Sequence, residues 1–234
     1  MKIGILQTGR VPDHMQSEHG DYGDIYQDML AGHGFEFEVF AALDGELPNS
    51  VNAADGWIIT GSKFSAYGKY DWIAPLEEFL RQAYQANVPI VGVCFGHQIL
   101  AQALGGTVEK FSKGWSVGAT KYDVKANGTN TGTDTVMAWH QDQITKLPAG
   151  ATVTGSSDFC KYAMLAYGDK ALSIQAHPEF TPKFVSDLIG ARRDLLPEKI
   201  ADDALANLDA PLTSSRVADQ FATFFLNHKR TLGR

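Results

Sequence analysis

Apolar residues along the chain fall into two periods, and the changes between them mark out its elements. Lys2 to Leu6 is a short apolar run that reads as a first strand, ending at Gln7-Thr8-Gly9. Arg10 to Gly23 holds two histidines, three acids, Pro12 and two glycines, and reads as a surface loop. Ile25, Met29 and Leu30 share one side of a short helix predicted over Asp24 to Ala31. Phe35, Phe37 and Val39 alternate with Glu36 and Glu38, the pattern of a strand with one wet face. Trp57-Ile58-Ile59 reads as a buried strand running into Thr60-Gly61-Ser62. Trp72, Leu76, Phe79, Leu80 and Tyr84 recur at helical spacing within Asp71 to Asn87. Pro89 restarts the chain as a strand (Ile90, Val91, Val93). A helix follows, with Ile99, Leu100, Ala103 and Leu104 on its packed face and Gly105-Gly106 closing it.

The second half is richer in β signals. Thr107 to Phe111, Val117 to Val124, Thr135 to Ala138 and Ala151 to Thr154 read as short strands, and Tyr162 to Ala176 as a hairpin turning at Gly168-Asp169. Helices are predicted over Pro182 to Leu196, Ile200 to Leu208 and Ser214 to Asn227, the first capped by Thr181 with Pro182 in its first turn. The order of elements predicts an α/β chain: a three-layer, mainly parallel central sheet with helices on both faces, plus extra antiparallel strands in the second half. No linker divides residues 1–234, which are read as a single domain. Ligands of such sheets bind beyond the carboxyl ends of the strands. Gln7-Thr8-Gly9, Thr60-Gly61-Ser62 and Cys94 all fall at those ends and are expected to converge.

The sharpest chemical signal is Gly92-Val93-Cys94-Phe95-Gly96, at the hinge between the fourth strand and its helix. Glycines two residues either side of Cys94 let the chain turn sharply and lift that side chain above the sheet, as in a nucleophile elbow with cysteine in place of serine. The helix N-terminus beneath it favours a thiolate, and the Phe95 amide is free to bond an oxyanion.

A thiol nucleophile needs a base, and the base needs an orienting group. Of the seven histidines, His14, His19 and His33 fall in loop or turn surroundings, and His228 lies beside Lys229 and Arg230; all four read as surface residues. His97 follows the elbow but does not point back at its tip. His177 ends the alternating run Leu172, Ile174, Ala176 before Pro178, at the level of Cys94. Glu179 is two residues on, which puts it on the same side of an extended chain, able to hold one ring nitrogen. His140, also at the end of a strand-like run and followed by Asp142, is the rival base.

Composition narrows the field. A net charge of −7 with no long basic run argues against nucleic acid or an anionic membrane as partner. No apolar run reaches the length of a membrane span. Two cysteines, Cys94 and Cys160, do not make a disulfide framework. With no signal peptide at the N-terminus, the expected compartment is the cytoplasm. Cys160 reads as a structural thiol. No histidine–cysteine cluster has metal spacing and no phosphate loop is present, so neither a metal nor a nucleotide cofactor is expected.

Cys94 in Gly92-Val93-Cys94-Phe95-Gly96-His97-Gln98, with His177-Pro178-Glu179 downstream, resembles the class I glutamine amidotransferase family, from the Gly61-Ser62 turn to Phe180. The resemblance implies a flavodoxin-like arrangement and a Cys94-His177-Glu179 triad that hydrolyses the glutamine side-chain amide through a γ-glutamyl thioester, releasing ammonia and glutamate. It implies a glutamine pocket that includes Gln98, an oxyanion donor at Gly61-Ser62 besides Phe95, and a substrate-holding role for His140, Gln141 and Asp142. The match is imperfect. Ser62 stands where many members have a second glycine, Lys63 where they have proline, and Gln141 where they have glycine. The resemblance also implies ammonia transfer to a synthase domain or subunit. The stretch Lys113 to Gly118 resembles stand-alone members that include γ-glutamyl peptidases, which makes hydrolysis of γ-glutamyl peptides the alternative. A non-enzymatic ligand-binding protein of the same fold is the third reading.

Overall fold

The computed structural model of the chain describes residues 1–126 and 129–231. Its first half alternates strands and helices: β1 (Lys2–Leu6), α1 (Asp13–His19), α2 (Tyr22–Met29), β2 (Glu36–Phe40), β3 (Gly56–Ile59), α3 (Ile73–Gln85), β4 (Ile90–Val93) and α4 (Phe95–Ala103). Strands dominate the next stretch: β5 (Thr107–Lys110), β6 (Ser116–Ala126), β7 (Thr129–His140), β8 (Asp142–Lys146), β9 (Thr152–Ser156), β10 (Met164–Tyr167) and β11 (Ala171–Ile174). Helices α5 (Pro182–Ala191), α6 (Glu198–Ala206) and α7 (Ser214–Thr231) follow.

One sheet of nine strands organises the molecule, in the order β2-β1-β3-β4-β11-β10-β9-β6-β7, while β5 and β8 pair separately. The block from β2 to β11 is parallel, and β10, β9, β6 and β7 extend it antiparallel. This is the α/β architecture the element order predicts, with the antiparallel extension in the second half. Alternate residues of the central strands feed two cores. Ile3, Ile5, Ile58, Val91 and Val93 pack with Tyr22 and Tyr26 of α2, Val185 and Leu188 of α5 and Phe221 and Phe225 of α7. Leu6, Trp57, Ile59 and Ile90 pack on the other face with Leu76 and Leu80 of α3 and Ile99 and Leu100 of α4. The parallel strands have helices on both sides, so β3 and β4 are buried along their whole length and β1 and β11 at all but one residue each, while the edge strand β2 is largely open.

Several local expectations need correction. Arg10 to Gly23 is no simple surface loop, because α1 lies inside it with Met15 buried. One apolar anchor in seven residues is too little for a helical period to show, although Pro12 just before it is a start signal. His19, on that helix, is largely covered: its Nε2 is 2.7 Å from Asp187 and its ring meets Phe184 edge-on at 5.1 Å. His228 is anchored by its ring nitrogens to the Asp169 and Asn87 carbonyls, at 3.1 and 2.7 Å. Strand β7 runs much further than Thr135 to Ala138, and β8 has no counterpart in the predicted elements. The exposed, polar first half of β7 carries no apolar alternation; it is held as a strand by its ladder to β6.

Candidate active site

The elbow is built as its glycines require. Cys94 has φ 51° and ψ −103°, a left-handed conformation that is strained for a residue with a side chain. A Cβ on Gly96 would stand 2.3 Å from the Ile59 carbonyl oxygen, and one on Gly92 would stand 2.5 Å from that of Gly96. Only glycine lets α4 pack this closely on β3 and β4, and that packing fixes the Cys94 turn. The Cys94 amide donates to the Ile174 carbonyl at 2.8 Å, and its sulfur approaches the Trp139 carbonyl at 3.7 Å. Phe95 is the first residue of α4, where backbone amides have no partner inside the helix. Its ring is buried against Trp72.

His177 does not end strand β11, which stops at Ile174. The chain bends, and the His177 amide donates to the Met137 carbonyl of β7 at 2.7 Å, forming a single bridge. The next residues turn, with the Phe180 amide on the His177 carbonyl at 3.3 Å. A turn, and not the extended chain expected, therefore brings Glu179 back under the ring. Pro178 helps to stop the pairing, since it has no amide to donate. His177 Nδ1 and Glu179 Oε1 are 2.7 Å apart. The carboxylate side chain is fully buried behind the ring.

Two residues that the pattern of the sequence did not single out complete this assembly. The Tyr26 hydroxyl donates to Glu179 Oε1 at 2.9 Å. The Phe180 ring lies flat on the imidazole, centroids 4.0 Å apart and planes 5° from parallel. Helix α2 is set for this by Gln7 at the end of β1. Its Nε2 donates to Asp21, the α2 cap, at 2.7 Å, and its Oε1 accepts from the Gly23 amide at 3.2 Å. Tyr22 and Tyr26, four apart on one face of that helix, were the available signal for Tyr26.

Burial, the largest single effect on His177, disfavours a charged ring. The charges of Glu179 and Cys94 and the hydrogen bonds both groups offer it outweigh burial and raise its pKa to about 10. Burial also pushes Tyr26 well above the ordinary phenol range, with the Glu179 charge adding to it, so Tyr26 stays a proton donor. His177 Nε2 is buried and has no hydrogen-bond partner of regular geometry among the described residues, and the ring shares a cleft with the Cys94 thiol.

That cleft, of about 250 Å³, lies at the carboxyl ends of the parallel strands. Ser62, Cys94, Gln98, His140, Gln141, Asp142 and His177 all line it, together with Trp115, Trp139 and Phe180. Gly61 sits immediately behind: a Cβ there would meet His177 Cε1 at 2.8 Å. The three strand ends converge: the Ser62 hydroxyl donates to the Thr8 carbonyl at 2.6 Å, the Thr8 amide to Thr60 Oγ1 at 3.0 Å, and a Cβ on Gly61 would stand 3.8 Å from that of Cys94. Gln98 Nε2 donates to the Asp142 carbonyl at 2.9 Å and to Gln175 Oε1 at 3.1 Å. The Asp142 carboxylate accepts from the hydroxyls of Ser65 at 2.6 Å and Tyr67 at 3.2 Å.

The other histidines near the elbow are poor bases. Burial, with the His177 charge adding to it, pushes His140 down to about 3, so it lines the cleft as a neutral ring. His97 is buried with Nδ1 2.7 Å from the Ser173 hydroxyl, and desolvation likewise takes it to about 3. Burial raises the Cys160 thiol to about 12, which suits the structural role expected of it. Away from this cleft, Glu18, His19 and Asp187 are close enough together to be metal donors, but Lys183 already bridges both carboxylates at 2.8 Å.

Known proteins share this arrangement of chain. Gamma-glutamyl peptidase 3 of Arabidopsis thaliana is 27% identical over 211 residues, covering 84% of this chain and 85% of its own. The glutamine-hydrolysing GMP synthase of Azoarcus sp. strain BH72 is 28% identical over 211 residues, which cover 78% of this chain but 39% of that larger protein. A solved structure described as a glutamine amido transferase, from Methylobacillus flagellatus, shares the fold with a TM-score of 0.78 at 21% identity, over 97% of this chain and 94% of that one. The family model for glutamine amidotransferase class-I matches residues 28–187, and the chain belongs to that family.

Proposed function

We propose that the chain is a cysteine hydrolase of the γ-glutamyl carbonyl, with glutamine as the first substrate. In this reading the proton of the Cys94 thiol already rests on His177, as a thiolate–imidazolium pair, and the sulfur attacks the side-chain amide carbon. The developing oxyanion is held by the Phe95 amide and one from Gly61-Ser62. The imidazolium gives its proton to the leaving nitrogen, the carbon–nitrogen bond breaks, and ammonia departs. Water then attacks the thioester, its proton passes to the imidazole, and glutamate is released with the thiol restored. Glu179 holds the ring in the productive tautomer and supports its charge. Gln98, His140, Gln141 and Asp142 shape the pocket.

The observation that carries this reading is the 2.7 Å His177–Glu179 contact, held by Tyr26 and Phe180 in the same cleft as an elbow cysteine. Glutamate release from glutamine by the wild type and the Cys94→Ala variant tests it. The variant is expected to lose at least a thousandfold in kcat, on the order of the loss when a covalent nucleophile is removed; unchanged turnover rejects the reading. A second reading, γ-glutamyl peptide hydrolysis, uses the same steps with an amine in place of ammonia. It is favoured by relatives named gamma-glutamyl peptidase that match along most of their length. The GMP synthase relatives support a synthase subunit as acceptor of ammonia. In this proposal residues 1–234 work as one domain, in the cytoplasm, without a metal or organic cofactor.

A further inference from the structure

The chain carries a net charge of −7, yet its cleft is lined the other way. Among the described residues the charged groups lining it, besides the Cys94–His177 pair, are Arg10, Lys63, Arg192 and one carboxylate, Asp142. Arg10 is already engaged, by Asp21 at 3.2 Å and by Asp44. Asp142 is held by two hydroxyls. Lys63 and Arg192 have no carboxylate partner among the described residues. Lys63 follows the Gly61-Ser62 turn, its ammonium 5.4 Å from the centre of the Phe64 ring. Arg192 is the C-cap residue that follows α5. Two unpaired cations from different elements thus reach one partly enclosed site, where their field favours an anion.

Glutamine carries one ammonium and one carboxylate, and ammonia leaves it without charge to spare. A γ-glutamyl amino acid carries a second carboxylate, on its leaving group. We propose that Lys63 and Arg192 are specificity-determining residues that select substrates whose leaving group bears a carboxylate: γ-glutamyl amino acids and short γ-glutamyl peptides. The proposal rests on the cysteine-hydrolase reading above. The step it concerns is the attack of sulfur on the γ-carbonyl carbon. The carbon–nitrogen bond breaks, the imidazolium proton goes to the departing amine, and the freed amino acid leaves with its carboxylate paired to these cations. Water completes the turnover by displacing glutamate from sulfur.

The experiment compares γ-glutamyl-alanine with γ-glutamyl-alaninamide, which differ only in the leaving group's carboxylate. In the wild type at low salt, kcat/KM is expected to favour the acid, and the preference is expected to shrink as salt screens it. Lys63→Gln and Arg192→Gln are each expected to lower the acid-to-amide ratio about fivefold, and together about twentyfold. An unchanged ratio in the double variant overturns the proposal. So does an equal loss for acid and amide, which puts the cations on the donor's own carboxylate. The ratio of dissociation constants for the two compounds, measured on Cys94→Ala protein with and without the two substitutions, gives the same answer without turnover. If the wild type cleaves neither compound nor glutamine, the hydrolase reading fails, and that binding ratio still decides whether the cations select the leaving-group carboxylate.

Discussion

The His177 imidazole is under opposing pulls, and their balance sets the pH range in which the proposed chemistry runs. Burial favours the neutral ring; the Glu179 and Cys94 charges favour the protonated one and prevail. A raised pKa means the ring keeps its proton through neutral pH and loses it only as pH rises toward about 10. In the proposed mechanism that proton goes to the leaving nitrogen, so activity falls on the alkaline side as it is lost. Glu179→Gln keeps an oxygen for Tyr26 and His177 and removes the charge. Burial then has less to oppose it, and the alkaline limb of the kcat/KM profile is expected to move down by about one to three pH units. A limb that stays where it is would mean the carboxylate charge does not act on the ring. The Phe180 face on the imidazole also supports the charged form, by cation–π attraction. Tyr26 and Phe180 belong to this account although neither has a motif of its own. Tyr26 looks like one more apolar position of a helix, and Phe180 like one more core ring beside Phe184.

At the scale of elements, the turn from β4 to α4 and the close packing of α4 on β3 are one construction. The alternation of Ile90, Val91 and Val93, the spacing of Ile99, Leu100, Ala103 and Leu104, and the two glycines made it legible, because each constraint there is local in sequence. Gly96→Ala places a methyl 2.3 Å from the Ile59 carbonyl, where backbone has to move. It is expected to cost about 1–3 kcal/mol of stability by overpacking, read as a lower thermal midpoint, and to lower activity beyond that by shifting Cys94. A protein with wild-type midpoint and wild-type turnover would contradict the close-packing account of the elbow. The β7 contribution was harder to read. Its outer half has no apolar alternation, and its inner end, Met137 to His140, is fixed by a bridge to His177 some forty positions away in sequence. Likewise the run from Leu172 to Ala176 reads as one strand up to His177. The strand stops at Ile174, because residues 175–177 leave the ladder with β4 to reach β7. Periodicity reports which face a residue shows; it does not report which distant strand it meets.

Across the whole molecule, a parallel half supplies the elbow and an antiparallel half supplies the wall opposite it, and His177 stands where they join. The α/β class, the convergence of three strand ends and the choice of Cys94, His177 and Glu179 as candidates could be read from sequence, each from a short pattern or motif. The cleft's positive lining could not, since Arg10, Lys63 and Arg192 are scattered along an acidic chain and meet only in the fold. Covalent labelling tells which thiol of this molecule is the nucleophile of the proposed γ-glutamyl site. A chloroketone analogue of glutamine, followed by peptide mass mapping, is expected to alkylate Cys94 once per chain, to leave the buried Cys160 untouched, and to react far more slowly with His177→Ala protein. Modification of Cys160 at a comparable rate, or a Cys94 that stays unlabelled while excess glutamine has no effect, would contradict the account.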